Sequence, residues 1–136
     1  MNPTINYLAS SFIGVVFGCI ISLYIYRNGQ YKTAKFDLIE HVRIMIHSIR
    51  FMKQGNNPVF TTFQDNIVSI QVKFMKLHNA TISRCKRTSL SKAWCDLVGH
   101  DKNKCTRPGI ENMKFPEKEE DAVNRLSDFL KAVEKI

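Results

Sequence analysis

Cysteine and histidine side chains are the residues of this chain that are best suited to chemistry. Cys95, His100 and Cys105 are evenly spaced, and together with Cys85 or His78 they could supply four ligands to a zinc ion. Their spacing matches none of the tight Cys-x-x-Cys signatures of zinc sites. We therefore expect no metal ion and no cofactor, and we interpret the cysteines as buried or incidental. A site at Cys95, His100 and Cys105 is the alternative.

Catalytic arrangements are equally sparse. His41 and His47 are six residues apart on a predicted helix and so lie on different faces. Asp37 and His41 are one helical turn apart, which is typical of a local surface interaction. The sequence contains no glycine-rich phosphate loop, no His-Glu-x-x-His and no nucleophile elbow. We expect that the protein is not an enzyme.

The cysteine count also bears on the cellular compartment. Three cysteines, Cys85, Cys95 and Cys105, lie beyond the first thirty residues, and an odd number gives no complete disulfide framework. Reduced thiols are the expectation.

The element that must position everything else is an uncharged segment over residues 7–26, which follows a short tail over 1–6. About twenty apolar residues in a helix cross a hydrocarbon core of roughly 30 Å. Tyr7, Tyr24 and Tyr26 stand at its two ends, where tyrosine rings favour the headgroup layer. The sequence therefore predicts a single transmembrane helix.

Three other interpretations of this segment are disfavoured. A buried core helix would have to be apolar on every face, which is unusual in a domain of this size. A cleaved signal would need a basic start and a small-residue cleavage site, but residues 1–6 hold no Lys or Arg and the far end is bulky. Lipidation of Cys19 is disfavoured because Phe17 fits a lipobox poorly.

Small residues recur every fourth position along this predicted span: Ser10, Gly14, Gly18 and Ser22. Such a series lets two helix backbones approach closely in lipid, where hydroxyl groups add hydrogen bonds. It predicts a homo-oligomer that associates through the span. The simple alternative is that glycine and serine are tolerated in a membrane helix.

Flanking charge predicts the orientation, because short basic segments stay on the cytoplasmic side of the membrane. Arg27, Lys32 and Lys35 follow the span before the first acid, Asp37. We expect the inner membrane of a bacterium, with the N-terminus outside and the domain over 27–136 in the cytoplasm.

This domain is predicted to be all-α, since its apolar residues recur at intervals of three and four without the alternation of strands. A small antiparallel helical bundle is the expected architecture. The predicted helices cover about 31–54, 58–86, 90–98 and 117–135, with a long loop over 99–116. Two arrangements are open at the junction between the span and the first of them: one continuous helix, or a kink or break at Asn28 and Gly29.

The net charge of +8 is unevenly distributed, since residues 66–95 contain six basic residues and no acid. If the second helix returns towards the membrane, its end brings a second basic cluster to anionic headgroups. Each basic residue near such a surface contributes about 1 kcal/mol to the free energy of membrane binding. The predicted headgroup contacts are Arg27, Lys32, Lys35, Arg84, Lys86 and Arg87. Nucleic-acid binding is not expected, because Phe60, Phe63 and Phe74 belong to the apolar face that the second helix turns to the core. A nucleic-acid-binding surface would instead have aromatic residues interleaved with exposed basic residues.

The chain also resembles short single-pass proteins of proteobacterial genomes and prophages. The similarity runs from the span near Ser10, through Phe36, to Lys92, Ala93 and Trp94. It implies a bacterial inner membrane and a helical cytosolic domain, and it implies no activity. We expect a membrane-anchored interaction or structural protein that presents its bundle to a cytosolic protein. The alternative is a small membrane-acting effector, such as a toxin, a phage-defence protein or an exclusion protein.

Overall fold

The structure is a computed structural model that describes residues 3–51, 59–99, 114–116 and 118–136, and of residues 59–62 only the backbone. Within these ranges the chain forms four α-helices and no strand, as the apolar spacing predicts. The helices are α1 (Pro3–Phe51), α2 (Val59–Ala80), α3 (Arg84–Val98) and α4 (Glu119–Lys135).

Helix α1 is continuous for 49 residues, so the predicted span over 7–26 and the predicted helix from 31 onwards form one element. Asn28 and Gly29 lie inside it without a break. A single glycine costs a helix only about 1 kcal/mol, which the helical residues on both sides offset. Gln30 Nε2 also donates to Tyr26 Oη at 2.7 Å, a side-chain bond that bridges this junction. Residues 52–54 of the predicted helix lie outside the described residues.

A single hydrophobic core joins the second half of α1 to the other three helices. Its centre is aromatic: the Phe74 ring stacks on Trp94 with centroids 4.9 Å apart, and Phe129 of α4 packs edge-on against Trp94 at 6.1 Å. Apolar residues that recur at intervals of three and four along the helices supply most of this core. The buried hydrophobic residues that compose it are Leu38, Val42, Met45, Ile46, Ile49, Phe63, Ile67, Ile70, Phe74, Leu77, Leu90, Ala93, Trp94, Leu97, Val98, Ala122, Leu126, Phe129 and Val133.

The predicted second helix over 58–86 divides at Thr81. Helix α2 ends at Ala80, and α3 begins at Arg84, six residues before the predicted start at residue 90. Thr81 is buried, and its amide and hydroxyl groups both donate to the Leu77 carbonyl oxygen, at 3.0 and 2.7 Å. Ser83, in an extended conformation, then serves as the N-cap of α3.

Glycine has a conformational role at the end of α3. Gly99 adopts a left-handed conformation with φ of 71°, and its amide group donates to the Cys95 carbonyl oxygen. The described end of the predicted loop packs against this cap, because the Lys114 amide donates to the Val98 carbonyl oxygen at 3.0 Å. Helix α4 then begins at Glu119, two residues later than predicted, with Lys118 at its N-cap.

Candidate membrane-facing surface

The N-terminal part of α1 leaves its apolar side chains without cover. Every residue from 3 to 30 is exposed, including Phe12 at 71% and Ile20 at 57%. This helix is long and apolar enough to cross a membrane, and none of its most apolar stretch is buried within the protein. The interpretation as a core helix of the domain is therefore excluded for these residues.

The small-residue series lies on this exposed helix. A Cβ atom added at Gly14 or Gly18 would meet nothing within 4 Å, so the face they form is open along its centre. Ser10 Oγ donates to the Tyr7 carbonyl oxygen at 3.0 Å, so this hydroxyl has a partner within its own helix.

An open groove of ≈ 750 Å³ lies where the apolar part of α1 ends. One wall is formed by residues of α1, including Ile25, Tyr26 and Arg27. The other is formed by the last turns of α2, through Lys76, Asn79 and Ala80. The end of α2 and the end of the candidate span are thus neighbours.

The basic residues after α2 are also brought to this region. Lys86 Nζ lies over the ring of Tyr31, 5.4 Å from its centroid, within range of a cation–π interaction. Arg87 is half-buried, and its Nε donates to the Thr81 carbonyl oxygen. Lys86 therefore joins the start of α3 to α1, while Arg87 holds the turn between α2 and α3.

The remaining predicted headgroup contacts have different surroundings. Lys32 and Arg84 are exposed on α1 and α3. Lys35 is half-buried, and its Nζ donates to the Glu134 carbonyl oxygen at 3.0 Å. A cation at the carboxyl end of a helix is favoured by the helix dipole, so Lys35 stabilises the end of α4.

Sequence patterns did not identify three residues of this surface. Lys76 and Asn79 belong to the groove, and Ile82, in the α2–α3 turn, is an exposed apolar residue, 56% accessible. A prediction that ended α2 at Ala80 would have found them, since they cluster around that end. The predicted helix over 58–86 instead treated the turn between Ala80 and Arg84 as helical.

No protein-family model, no curated protein and no solved structure matches the chain.

The cysteines differ from the sequence-based expectation in one respect. Cys95 is buried and disulfide-bonded, so the prediction of reduced thiols is wrong for this residue, and its sulfur is not a thiolate for zinc. Cys19 and Cys85 are free and exposed. His100 and Cys105, the other alternative zinc ligands, lie outside the described residues. Among the residues that are described, no group of three or more His, Cys, Asp or Glu side chains could hold a metal ion.

Two histidines of the domain have perturbed acid–base properties. Partial burial lowers the pKa of His41, and the Lys73 ammonium group lowers it further. Burial also lowers the pKa of His78, as does Arg87, while a hydrogen bond with Asn79 acts in the opposite direction. Both side chains are therefore biased towards the neutral imidazole.

Proposed function

We propose that this protein is a membrane-anchored helical module that self-associates through its span and presents its domain to a protein partner. The exposure of all residues from 3 to 30 carries this proposal. An apolar helix that the protein itself leaves uncovered is stabilised by lipid, where its backbone groups are satisfied within the helix. Gln30 and Asn79 line the groove from its two walls, and Ile44 and Lys73 line one pocket further along α1, an order that supports antiparallel packing of α1 and α2.

Membrane integration is tested by alkaline carbonate extraction of membranes that carry the full chain. We expect the chain to stay in the membrane pellet, whereas a version beginning at Gln30 is released into the supernatant. Release of the full chain would contradict an integral anchor.

Self-association is tested with Gly14→Ile combined with Gly18→Ile. Since an added Cβ meets nothing at either position, these side chains fit the monomer, and any loss of signal in a membrane two-hybrid assay reports on contact between chains. The matched control is Ala9→Ile with Val16→Ile, which enlarges the opposite face of the same helix. Unchanged association in the glycine variant would remove this face from the proposal.

For orientation we propose that the domain lies in the cytoplasm of a bacterium. The support is the basic flank, which directs orientation during insertion. The opposing observation is the Cys95 disulfide, because structural disulfides persist mainly in oxidising compartments.

Cys85, which is free and exposed, is a native reporter for this question. In a Cys19→Ser background, a membrane-impermeant maleimide should label Cys85 in inverted vesicles and leave it unlabelled in intact spheroplasts. Cys85→Ser is the control for labelling elsewhere. Labelling in intact spheroplasts would place the domain on the outer side.

An exposed apolar stripe on α2 supports the presence of a protein partner. Val68, Val72 and Met75 are 50%, 53% and 37% exposed, and their spacing puts them on one helical face. Exposed apolar groups in series mark interaction surfaces. A photo-crosslinker at Val72 should give a discrete adduct with another protein, whereas one at the exposed Lys92 should not; equal crosslinking at both positions would argue against this surface.

The membrane-acting effector is separated from this module by expression. Depolarisation of cells by the full chain, with a harmless chain from Gln30 onwards, would favour the effector. We expect neither version to depolarise cells.

A further inference from the structure

We propose that the α2–α3 turn docks on the anionic surface of the bilayer that the span crosses, with Ile82 inserted between headgroups and Lys76 and Arg27 contacting lipid phosphates. This inference rests on the proposed membrane anchor. It assigns the groove and the turn one occupant, the lipid surface.

The first support is the level of the turn along α1. Asn79 and Ala80 share a groove with Ile25, Tyr26 and Arg27, and Ile82 follows two residues after Ala80. Tyr26 is the last residue of the candidate span, where aromatic side chains favour the headgroup layer. The turn is therefore held at the height where the span leaves the hydrocarbon.

The second support is that hydrogen bonds hold the turn while it presents an apolar side chain to solvent. Thr81 is buried and bonded through its amide and hydroxyl groups to Leu77. Its carbonyl oxygen accepts a hydrogen bond from Arg87. With the residue before it fixed in this way, Ile82 remains 56% exposed. An apolar residue held at headgroup level gains by entering the boundary between headgroups and acyl chains.

The third support is the charge of the groove and of the residues that follow the turn. Lys76 and Arg27 line the groove together with a single acid, Asp37, and Arg84 is exposed two residues beyond Ile82. Basic side chains at the same end of α2 as an exposed apolar residue match an anionic lipid surface. Arg87, by contrast, is a positioning residue, because its guanidinium group is used to hold the turn.

The test measures the depth of position 82 in the intact chain. Ile82→Cys is prepared in a Cys19→Ser, Cys85→Ser background and labelled with bimane. It is then reconstituted in phosphatidylcholine vesicles with or without phosphatidylglycerol, using lipids brominated in their acyl chains. We expect a blue-shifted emission and strong quenching at position 82 in the vesicles that contain phosphatidylglycerol. The matched control is Val68→Cys, similarly exposed on α2 but about 18 Å before Ala80 along the helix, which should be neither shifted nor quenched.

A second variant tests the role of charge. Lys76→Gln should shift the docking equilibrium of the labelled turn about fivefold towards the undocked state. This is the effect of losing the binding free energy that one basic residue contributes at an anionic surface. Lys92→Gln, an exposed change elsewhere on the domain, should leave it unchanged. Quenching that is equally weak at positions 82 and 68 would overturn the inference, as would indifference to Lys76→Gln.

Failure of the anchor is distinguishable from failure of the turn. Extraction of the labelled chain from the vesicles by alkaline carbonate would contradict both the membrane anchor and this inference. A chain that stays integrated while position 82 is unquenched would contradict only the docking of the turn.

Discussion

At the scale of single residues, two glycines differ in whether the backbone requires them. Gly29 lies inside α1, and a Cβ atom added there meets nothing within 4 Å. Gly99 has φ of +71°, and an added Cβ would lie 3.0 Å from Lys114 Cβ. The left-handed backbone at the end of α3 therefore requires glycine, whereas the interior of α1 does not.

Substitution by alanine at these two positions is expected to move stability in opposite directions. Gly99→Ala should lower the free energy of unfolding by about 1–2 kcal/mol through backbone strain and crowding. Gly29→Ala should raise helix stability by about 1 kcal/mol. Thermal unfolding of the domain, followed by the fluorescence of its single tryptophan, Trp94, measures the first; a stabilised Gly99→Ala variant would contradict the described cap.

The perturbed histidines predict a dependence of stability on pH. Because the folded-state pKa values of His41 and His78 are lowered from the ordinary histidine value of about 6.5, the unfolded chain binds more protons than the folded chain as the pH falls below that value. Stability should therefore fall as the pH drops through about 6.5. Melting temperatures measured from about pH 7.5 to about pH 5.5 should decrease, and His41→Gln with His78→Gln should reduce this slope. An unchanged slope would mean that other groups control it.

At the scale of elements, α4 is attached chiefly by its apolar face. Phe129 packs against both Trp94 and Phe74, while the Arg43–Glu134 ion pair between α1 and α4 is 2.7 Å long and exposed. Exposed ion pairs contribute about 0–1 kcal/mol, so aromatic packing dominates. The acidic first turn of α4 also lies favourably at the positive end of the helix dipole.

Removing the Phe129 ring should release α4 from the rest of the domain. Phe129→Ala should cost about 3–5 kcal/mol, from lost burial and the cavity that remains. The emission of Trp94, whose ring is fully buried, should shift to longer wavelength. Glu134→Ala, which removes only the exposed ion pair, should change stability by less than about 1 kcal/mol. A larger loss in Glu134→Ala than in Phe129→Ala would invert this assignment.

At the scale of the whole molecule, the core and the exposed helix are separate parts of one continuous α1. The buried residues of α1 begin at Leu38 and end at Ile49, whereas residues 3–30 contribute none. The N-terminal half of α1 therefore contributes no buried side chain to the core that stabilises the domain.

We expect a chain beginning at residue 27 to fold with essentially the same core as the full protein. It should be soluble without detergent and monomeric, with a melting temperature close to that of the full chain in detergent. Circular dichroism, sedimentation and Trp94 emission measure these properties. Aggregation of this shorter chain, or loss of its cooperative unfolding, would show that the N-terminal residues contribute to the domain.

The sequence by itself determined the helical class, the exposed apolar segment and most of the core, because these depend on local properties. Four-three spacing places Leu38, Val42 and Met45 on one face whatever they pack against. Only the tertiary structure decided where α2 ends and which groups gather there. The break at Thr81 depends on a buried hydroxyl group and on Arg87, and the groove depends on contact between residues some fifty positions apart. Periodicity carries no information on such non-local contacts, so the position of Lys76 in the groove and the exposure of Ile82 in the turn follow only from the packed helices.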